Sequence, residues 1–220
     1  MKHLACFCLA SYAVLAATPE QRRLADAAEV FKEVMATPDR SIPQSLLDKA
    51  ECIIIVPGLK KGAFIFGGKY GRGFASCRKG GAGWTAPAAV RVEGGSFGLQ
   101  IGGAESDVIM LVMNKRGMDR LQSSKFTLGA DATAAAGPVG RNAQADTDAT
   151  MRAEILTWSR SRGLFGGVSL QGATLRPDEG VNRALYGRTV DNRTILTTDV
   201  PPPAAAANLL GLLNRYSSRK

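Results

Sequence analysis

The chain predicts an α+β fold: an antiparallel β-sheet system, a sandwich or partly closed barrel, flanked by helices from the N-terminal segment and the tail. Three observations carry this. In residues 57–103, two-residue register puts Phe64, Phe66, Tyr70 and Phe74 on one face of an extended strand and Gly67, Gly71 and Gly73 on the other, a sorting that no helix produces. Residues 52–56, CIIIV, form a continuous, mostly β-branched run of the kind found in strands buried on both faces. Residues 18–36 place Leu24, Ala28, Phe31 and Met35 on one stripe with charge largely elsewhere, which is an amphipathic helix.

The ends set the compartment and the available chemistry. Lys2, an apolar run from Leu4 to Leu15, and small residues at Ala16 and Ala17 have the layout of a cleavable secretory signal over residues 1–17. The expectation is a secreted or periplasmic protein, peripherally associated with a membrane. With Lys2 removed, the formal net charge of +9 becomes 27 minus 19, or +8, which favours anionic partners. His3 is the only histidine, so the mature chain would have no imidazole base or ligand. Cys52 and Cys77 would remain, each beside an expected strand; a disulfide and two buried free thiols are both open readings.

Taken in order, Thr18, Pro19 and Gln21 supply the cap, first position and third position of the first helix. That helix packs on the domain or lies on a membrane surface. Ser41 and Pro43 start a shorter helix through Leu46, Leu47 and Lys49. The strand from Cys52 to Val56 is ended by Pro57 and Gly58, and strands follow over 63–78, 83–92, 96–103 and 107–113, with Pro87 demoting the second of these to an edge or bulge. Residues 116–121 read as a short helix. Residues 129–150, small and weakly apolar, are a long surface loop or a region that packs through its backbone. Strands over 151–160 and 164–176, a helix end at 182–187, and a strand or ordered tail at 189–198 come next. After the break at Pro201 to Pro203, the run through Leu209, Leu210, Leu212, Leu213 and Tyr216 is a helix that caps the domain or touches a partner or membrane.

Short motifs for catalysis fail on chemistry. Gly94-Gly95-Ser96-Phe97-Gly98 matches G-x-S-x-G, but a strand-like segment follows it and, once His3 leaves with the signal, the mature chain would have no histidine to take the serine proton. Ser76-Cys77-Arg78-Lys79 matches S-x-x-K without a helix start or K-T-G partner. In Gly62 to Lys69 a glycine stands where a phosphate loop needs lysine. Asp131, Asp146 and Asp148 lack the alternation of a calcium loop and read as turn and cap residues. Without histidine, zinc is left with only two thiols. Trp84 and Trp158 read as packing residues or as interface aromatics. Basic residues are dispersed and no aromatic nucleic-acid platform occurs, so nucleic acid is not an expected partner.

Four ordered segments carry a resemblance: GAFIFGGKYGRG (62–73), SFGLQIGG (96–103), LGADATAAAGPVGR (128–141) and TWSRSRGLFGGVSLQGA (157–173). Together they resemble the SYLF domain, a lipid-binding family that includes yeast actin-patch regulators and secreted bacterial members; Trp158 stands where the family has tyrosine. The resemblance implies a domain over 18–187, followed by a 188–220 extension with its proline-rich break and apolar helix. It also implies binding of anionic phospholipid, phosphoinositide-like in the eukaryotic kin, and no enzymatic activity; no cofactor or metal is expected. The residues expected to hold headgroup phosphates are Lys60, Lys61, Lys69 and Arg72, with Arg160 and Arg162 second. Actin is an unexpected partner for a secreted chain. The alternative is a structural or protein-interaction module of the cell envelope without lipid specificity.

Overall fold

The computed structural model describes residues 16–37, 41–63, 66–80, 83–97, 102–139, 152–161, 164–168 and 170–217, with backbone only at 63, 66, 67, 96, 97, 102 and 103. Its elements are α1 (Pro19–Ala36), α2 (Gln44–Lys49), β1 (Cys52–Ala63), β2 (Phe66–Cys77), β3 (Ala88–Phe97), β4 (Gly102–Val112), α3 (Lys115–Leu121), β5 (Phe126–Thr127), β6 (Ala134–Ala136), β7 (Ile155–Ser161), β8 (Leu164–Gly167), β9 (Thr174–Pro177), α4 (Glu179–Tyr186), α5 (Asn192–Thr197) and α6 (Ala207–Tyr216). A single sheet of nine strands runs in the order β5-β9-β3-β2-β1-β4-β7-β6, with β8 sharing the outer side of β7. It curls into a half-barrel that stays open.

Both faces of the sheet are covered. Val56 and Cys52 of β1, Ala75 of β2, Val90 and Val92 of β3, Val108 and Met110 of β4, Phe126 of β5, Ile155 of β7 and Leu175 of β9 all belong to one apolar cluster, which Leu121 of α3 and Ile195 and Leu196 of α5 complete. On the other face, Ile53 and Ile55 of β1, Phe74, Ile109, Leu111 and Trp158 meet Leu24, Phe31 and Val34 of α1, Leu46 and Leu47 of α2, and Leu209 and Leu213 of α6. Being covered on both faces, β1 reads as an unbroken apolar run. Phe31 is wholly buried and meets the Tyr216 ring edge-on at 6.0 Å; burying one such side chain is worth roughly 1.5–3 kcal/mol.

Local signals held at the helix ends. Thr18 and Gln21 form the reciprocal capping box at α1, with Pro19 in the first turn. The helix packs on the domain, the first of its two expected placements. Gly187 closes α4 in the left-handed conformation. The α6 helix caps the domain against α1, and Trp84 and Trp158 are core residues. Asp131 serves a turn, accepting the Thr127 N–H at 2.7 Å; Asp146 and Asp148 lie outside the described residues.

Several expectations are corrected. Pro57 and Gly58 do not end β1: they form a bulge, and the strand continues to Ala63. Pro87 precedes β3, which is an interior strand between β2 and β9, so its missing N–H falls outside the ladder. The segment 96–103 is not one strand, since β3 ends at Phe97 and β4 runs from Gly102 through the whole 107–112 stretch. The segment 164–176 is divided into β8 and β9 by a turn at Gln171 and Gly172. Residues 192–197 are helical, because Asp191 caps them through the Thr194 N–H at 2.7 Å. In 129–150, the described part packs through backbone: β6 pairs in parallel with β7, and an added Cβ at Gly137 would stand 2.0 Å from the Trp158 ring.

Cys52 and Cys77 are direct register partners on β1 and β2, and their sulfurs are joined. Arg78 N–H donates to the Glu51 carbonyl at 2.8 Å just beyond them, so the cysteines occupy a non-hydrogen-bonded pair, where side chains approach most closely.

Candidate functional site

The site is built on the β1 bulge. Between Ile55 and Lys60 the strand holds one residue more than β2 opposite it. Gly58 takes φ +59°, a left-handed conformation natural to glycine, and its N–H donates to Asp107 Oδ1 at 3.0 Å. The bulge drives the β1 backbone into β2: a Cβ at Gly73 would lie 2.0 Å from the Ile55 carbonyl oxygen, and one at Gly71 would lie 2.7 Å from Leu59. This is why glycine lines that face of β2 while Tyr70 and Phe74 occupy the other.

Past the bulge, four strands outrun their neighbours. The β9 strand pairs β3 only at Val90 to Glu93, and β7 pairs β4 only from Asp107 onward. The order β3-β2-β1-β4 continues alone to Phe66 opposite Phe97 and Ala63 opposite Gly102. At Gly62, Gly68 and Gly95 nothing lies within 4 Å of where a side chain would stand. The result is a projecting, nearly bare sheet end.

Its charges divide between two faces. Lys61 stands directly opposite Lys69, on the face continuous with Leu59, while Lys60, paired in register with Tyr70 and Glu105, faces the α1 side. Among the described residues no ion pair involves Lys60, Lys61 or Lys69. Partial burial, with the Lys69 ammonium beside it, holds the Lys61 ammonium below its ordinary pKa.

Arg160 is committed to the protein, and Arg72 stands against a single carboxylate. Arg160 donates Nε and Nη2 to Asp107 Oδ2 at 3.0 and 2.7 Å and pairs with Glu33, tying β7 and β4 to α1. Burial is the main force raising the Asp107 carboxyl, with Glu105 and Asp26 adding to it against the Gly58 amide. Arg72 Nε lies 3.1 Å from Asp178 Oδ2, and its guanidinium stands 5.9 Å from the half-exposed Tyr70 ring. A groove of about 550 Å³ between α1 and the bulge brings Lys60, Tyr70, Arg72 and Arg160 together with Asp26, Glu29, Glu105 and Asp107. Lys61 and Lys69 stand apart from it, and Arg162 lies outside the described residues. Sequence reasoning missed Asp107 and Asp178, whose partners come from strands and helices far along the chain; only the cross-strand register exposes them.

Among the described residues no helix is long and apolar enough to cross a membrane. Fold and surface together define a class: a one-sheet, half-barrel α/β module with a projecting basic sheet end. A family model described as "Ysc84: Las17-binding protein actin regulator" matches residues 93–216, more than half of the chain. The chain belongs to this family, the one marked by the SYLF domain. It is 31% identical over 203 residues to human SH3 domain-containing YSC84-like protein 1, covering 91% of this chain and 59% of the relative. The Xenopus laevis protein of the same name is 30% identical over 204 residues, 91% of this chain and 61% of that one. Protein YSC84 of Saccharomyces cerevisiae is 32% identical over 178 residues, 80% of this chain and 38% of that one. The chain thus spans about three fifths of the vertebrate relatives and less than two fifths of the yeast one. These are names of SH3-containing and YSC84-like proteins, not of enzymes.

Proposed function

We propose that this chain is a non-catalytic module that docks on anionic phospholipid at a membrane surface. One observation carries the reading: Lys60, Lys61 and Lys69 crowd a projecting sheet end, and among the described residues none of them forms an ion pair, although Glu105 stands opposite Lys60. Like charges directly opposite on a sheet oppose each other, so the Lys61–Lys69 pair is relieved by an external anion. Near an anionic leaflet each such residue adds about 1 kcal/mol. Beneath the tip, Arg160 ties the sheet to α1 through Glu33, and Arg72 stands against Asp178 at the start of α4. Residues 1–17, read as a secretory leader, place the surface at a cell envelope, secreted or periplasmic, and this placement is part of the proposal.

The test is co-sedimentation of the chain with neutral and anionic vesicles at low and high salt. Pelleting with anionic vesicles alone, weakened by salt, is the expected result. Equal pelleting with both, or none, overturns the reading. The family's description as an actin regulator favours a second reading, a protein-interaction module, and lends no support to setting actin aside. Co-sedimentation with filamentous actin, without vesicles, decides that one.

A further inference from the structure

Three arginines stand directly opposite one another across three strands. Arg72 of β2 is the register partner of Arg91 of β3, and Arg91 is the register partner of Arg176 of β9. Their side chains are 39, 36 and 39% exposed. A row of like charges at cross-strand spacing, roughly 5 Å, destabilises a sheet unless anions compensate it.

The fold supplies two carboxylates for the three guanidiniums. Glu93 reaches Arg91 Nε with Oε1 at 3.1 Å and Arg176 Nε with Oε2 at 3.5 Å, and Asp178 Oδ2 stands 3.1 Å from Arg72 Nε. All three Nε atoms and Asp178 Oδ2 are buried, yet none makes an aligned hydrogen bond, so these are charge contacts only. Each contact uses the inner edge of the guanidinium. The outer nitrogens carry four of its five N–H donors, and among the described residues they make no hydrogen bond to the protein. Arg91 and Arg176 open onto a groove of about 580 Å³, lined also by Ser123, Ser124, Arg193 and Gln122. The Gln122 Nε2 donor is buried there without a partner. Of the acids on the same rim, Asp191 is engaged in capping α5, and Glu179 lies in the first turn of α4.

We propose that the Arg72–Arg91–Arg176 row is a binding site for closely spaced phosphates, presented by a free oligophosphate or by a multiply phosphorylated headgroup. Guanidinium forks match phosphate oxygens two at a time. Adjacent forks along the row receive adjacent phosphates, which one carboxylate cannot satisfy. The Arg91–Arg176 end of the row has its own groove, apart from Lys61 and Lys69, and does not depend on vesicle docking, while Arg72 also lines the groove that holds Lys60.

The test is calorimetric titration of the full chain with inorganic tripolyphosphate and with orthophosphate at about 0.1 M salt, where the Debye length is about 10 Å. Tripolyphosphate binds at least about tenfold more tightly than orthophosphate, and Arg91→Gln or Arg176→Gln weakens it by about tenfold or more, the scale of one lost charge-assisted hydrogen-bond pair. Arg91→Lys keeps part of the affinity, while Lys61→Gln with Lys69→Gln changes it by less than about twofold, as screened charges at a distance do. No saturable tripolyphosphate binding, or unchanged binding in glutamine variants that melt like the parent, overturns the proposal. Should the glutamine variants fail to fold, phenylglyoxal footprinting of the parent decides: tripolyphosphate slows modification of Arg91 and Arg176 relative to Arg215, and equal rates overturn the site. Vesicles bearing phosphatidylinositol bisphosphate, matched in charge with phosphatidylserine, identify the source. Excess binding lost with Arg91→Gln means a headgroup, and no excess beside intact solution binding means a free oligophosphate. Retained binding to anionic vesicles without solution binding sinks the arginine site alone, whereas the reverse sinks the lysine tip alone.

Discussion

Neutralising the sheet tip isolates its contribution to membrane docking. In Lys60→Gln/Lys61→Gln/Lys69→Gln, three near-surface ammonium groups worth about 1 kcal/mol each are removed, so affinity for anionic vesicles falls by about 3 kcal/mol, roughly two orders of magnitude. A matched control removes the same charge elsewhere: Lys115 on α3, Lys125 before β5 and Arg188 after α4 are all exposed. The control loses less than about tenfold, because screening confines each charge to roughly 10 Å at 0.1 M salt. Folding is a further check. Partial burial and Lys69 hold Lys61 below its unfolded pKa, so the folded state pays for that proton at every pH below the folded value, and the cost disappears as pH rises toward 10.5. Relieving Lys61 therefore makes the triple variant no less stable than the parent at pH 7, and any difference closes in alkali. Vesicle co-sedimentation with a parallel urea melt measures both. If the control variant loses as much binding as the tip variant, net charge and not the tip is responsible, and the reasoning fails.

Gly73→Ala places a methyl group 2.0 Å from the Ile55 carbonyl oxygen, in backbone that cannot step aside, and costs about 3 kcal/mol or more in a urea melt; an unchanged midpoint refutes the close approach. Replacing Cys52 and Cys77 together by alanine opens a loop with 25 residues of sequence separation and lowers stability by about 3 kcal/mol; free-thiol titration of the unfolded parent checks the bond, and two reactive thiols deny it. Asp191→Ala removes the cap of α5 and costs about 1 kcal/mol. Because the Thr194 hydrogen bonds hold the Asp191 carboxyl below its ordinary range, that contribution is present above the unfolded pKa and fades as acid protonates the folded state. Thermal melts from pH 2 to 7 follow it, and a parent–variant gap that persists in acid contradicts the assignment.

Much of the fold was legible because its signals are local. The Thr18–Gln21 cap, the burial of Leu24, Ala28 and Phe31, the alternation of Tyr70 and Phe74 against Gly71 and Gly73, and the break before α6 all depend on residues close in sequence. What went unread depends on pairing. Pro57-Gly58 carries the composition of a strand end, and only neighbours on both sides turn it into a bulge. Thr189 to Thr198 has β-branched content, yet the Asp191 cap and the burial of Ile195 and Leu196 make it helical. Of the expected headgroup residues, Lys60, Lys61 and Lys69 keep uncommitted charges, while Arg72 and Arg160 found acidic partners far along the chain.

By itself, the sequence determined an α+β chain with a strand buried on both faces, a capped amphipathic helix before it, an apolar helix after the proline-rich break, an excess of positive charge and a glycine-rich hairpin region. Those properties are composition and short-range periodicity, which no partner is needed to express. Tertiary structure alone decided that Lys61 meets Lys69, that Arg72, Arg91 and Arg176 form one row, and that Arg160 is spent on Asp107 and Glu33. The physical reason is register: a shift of one residue between strands sends every side chain to the opposite face, so which charges share a face is settled only when distant strands pair.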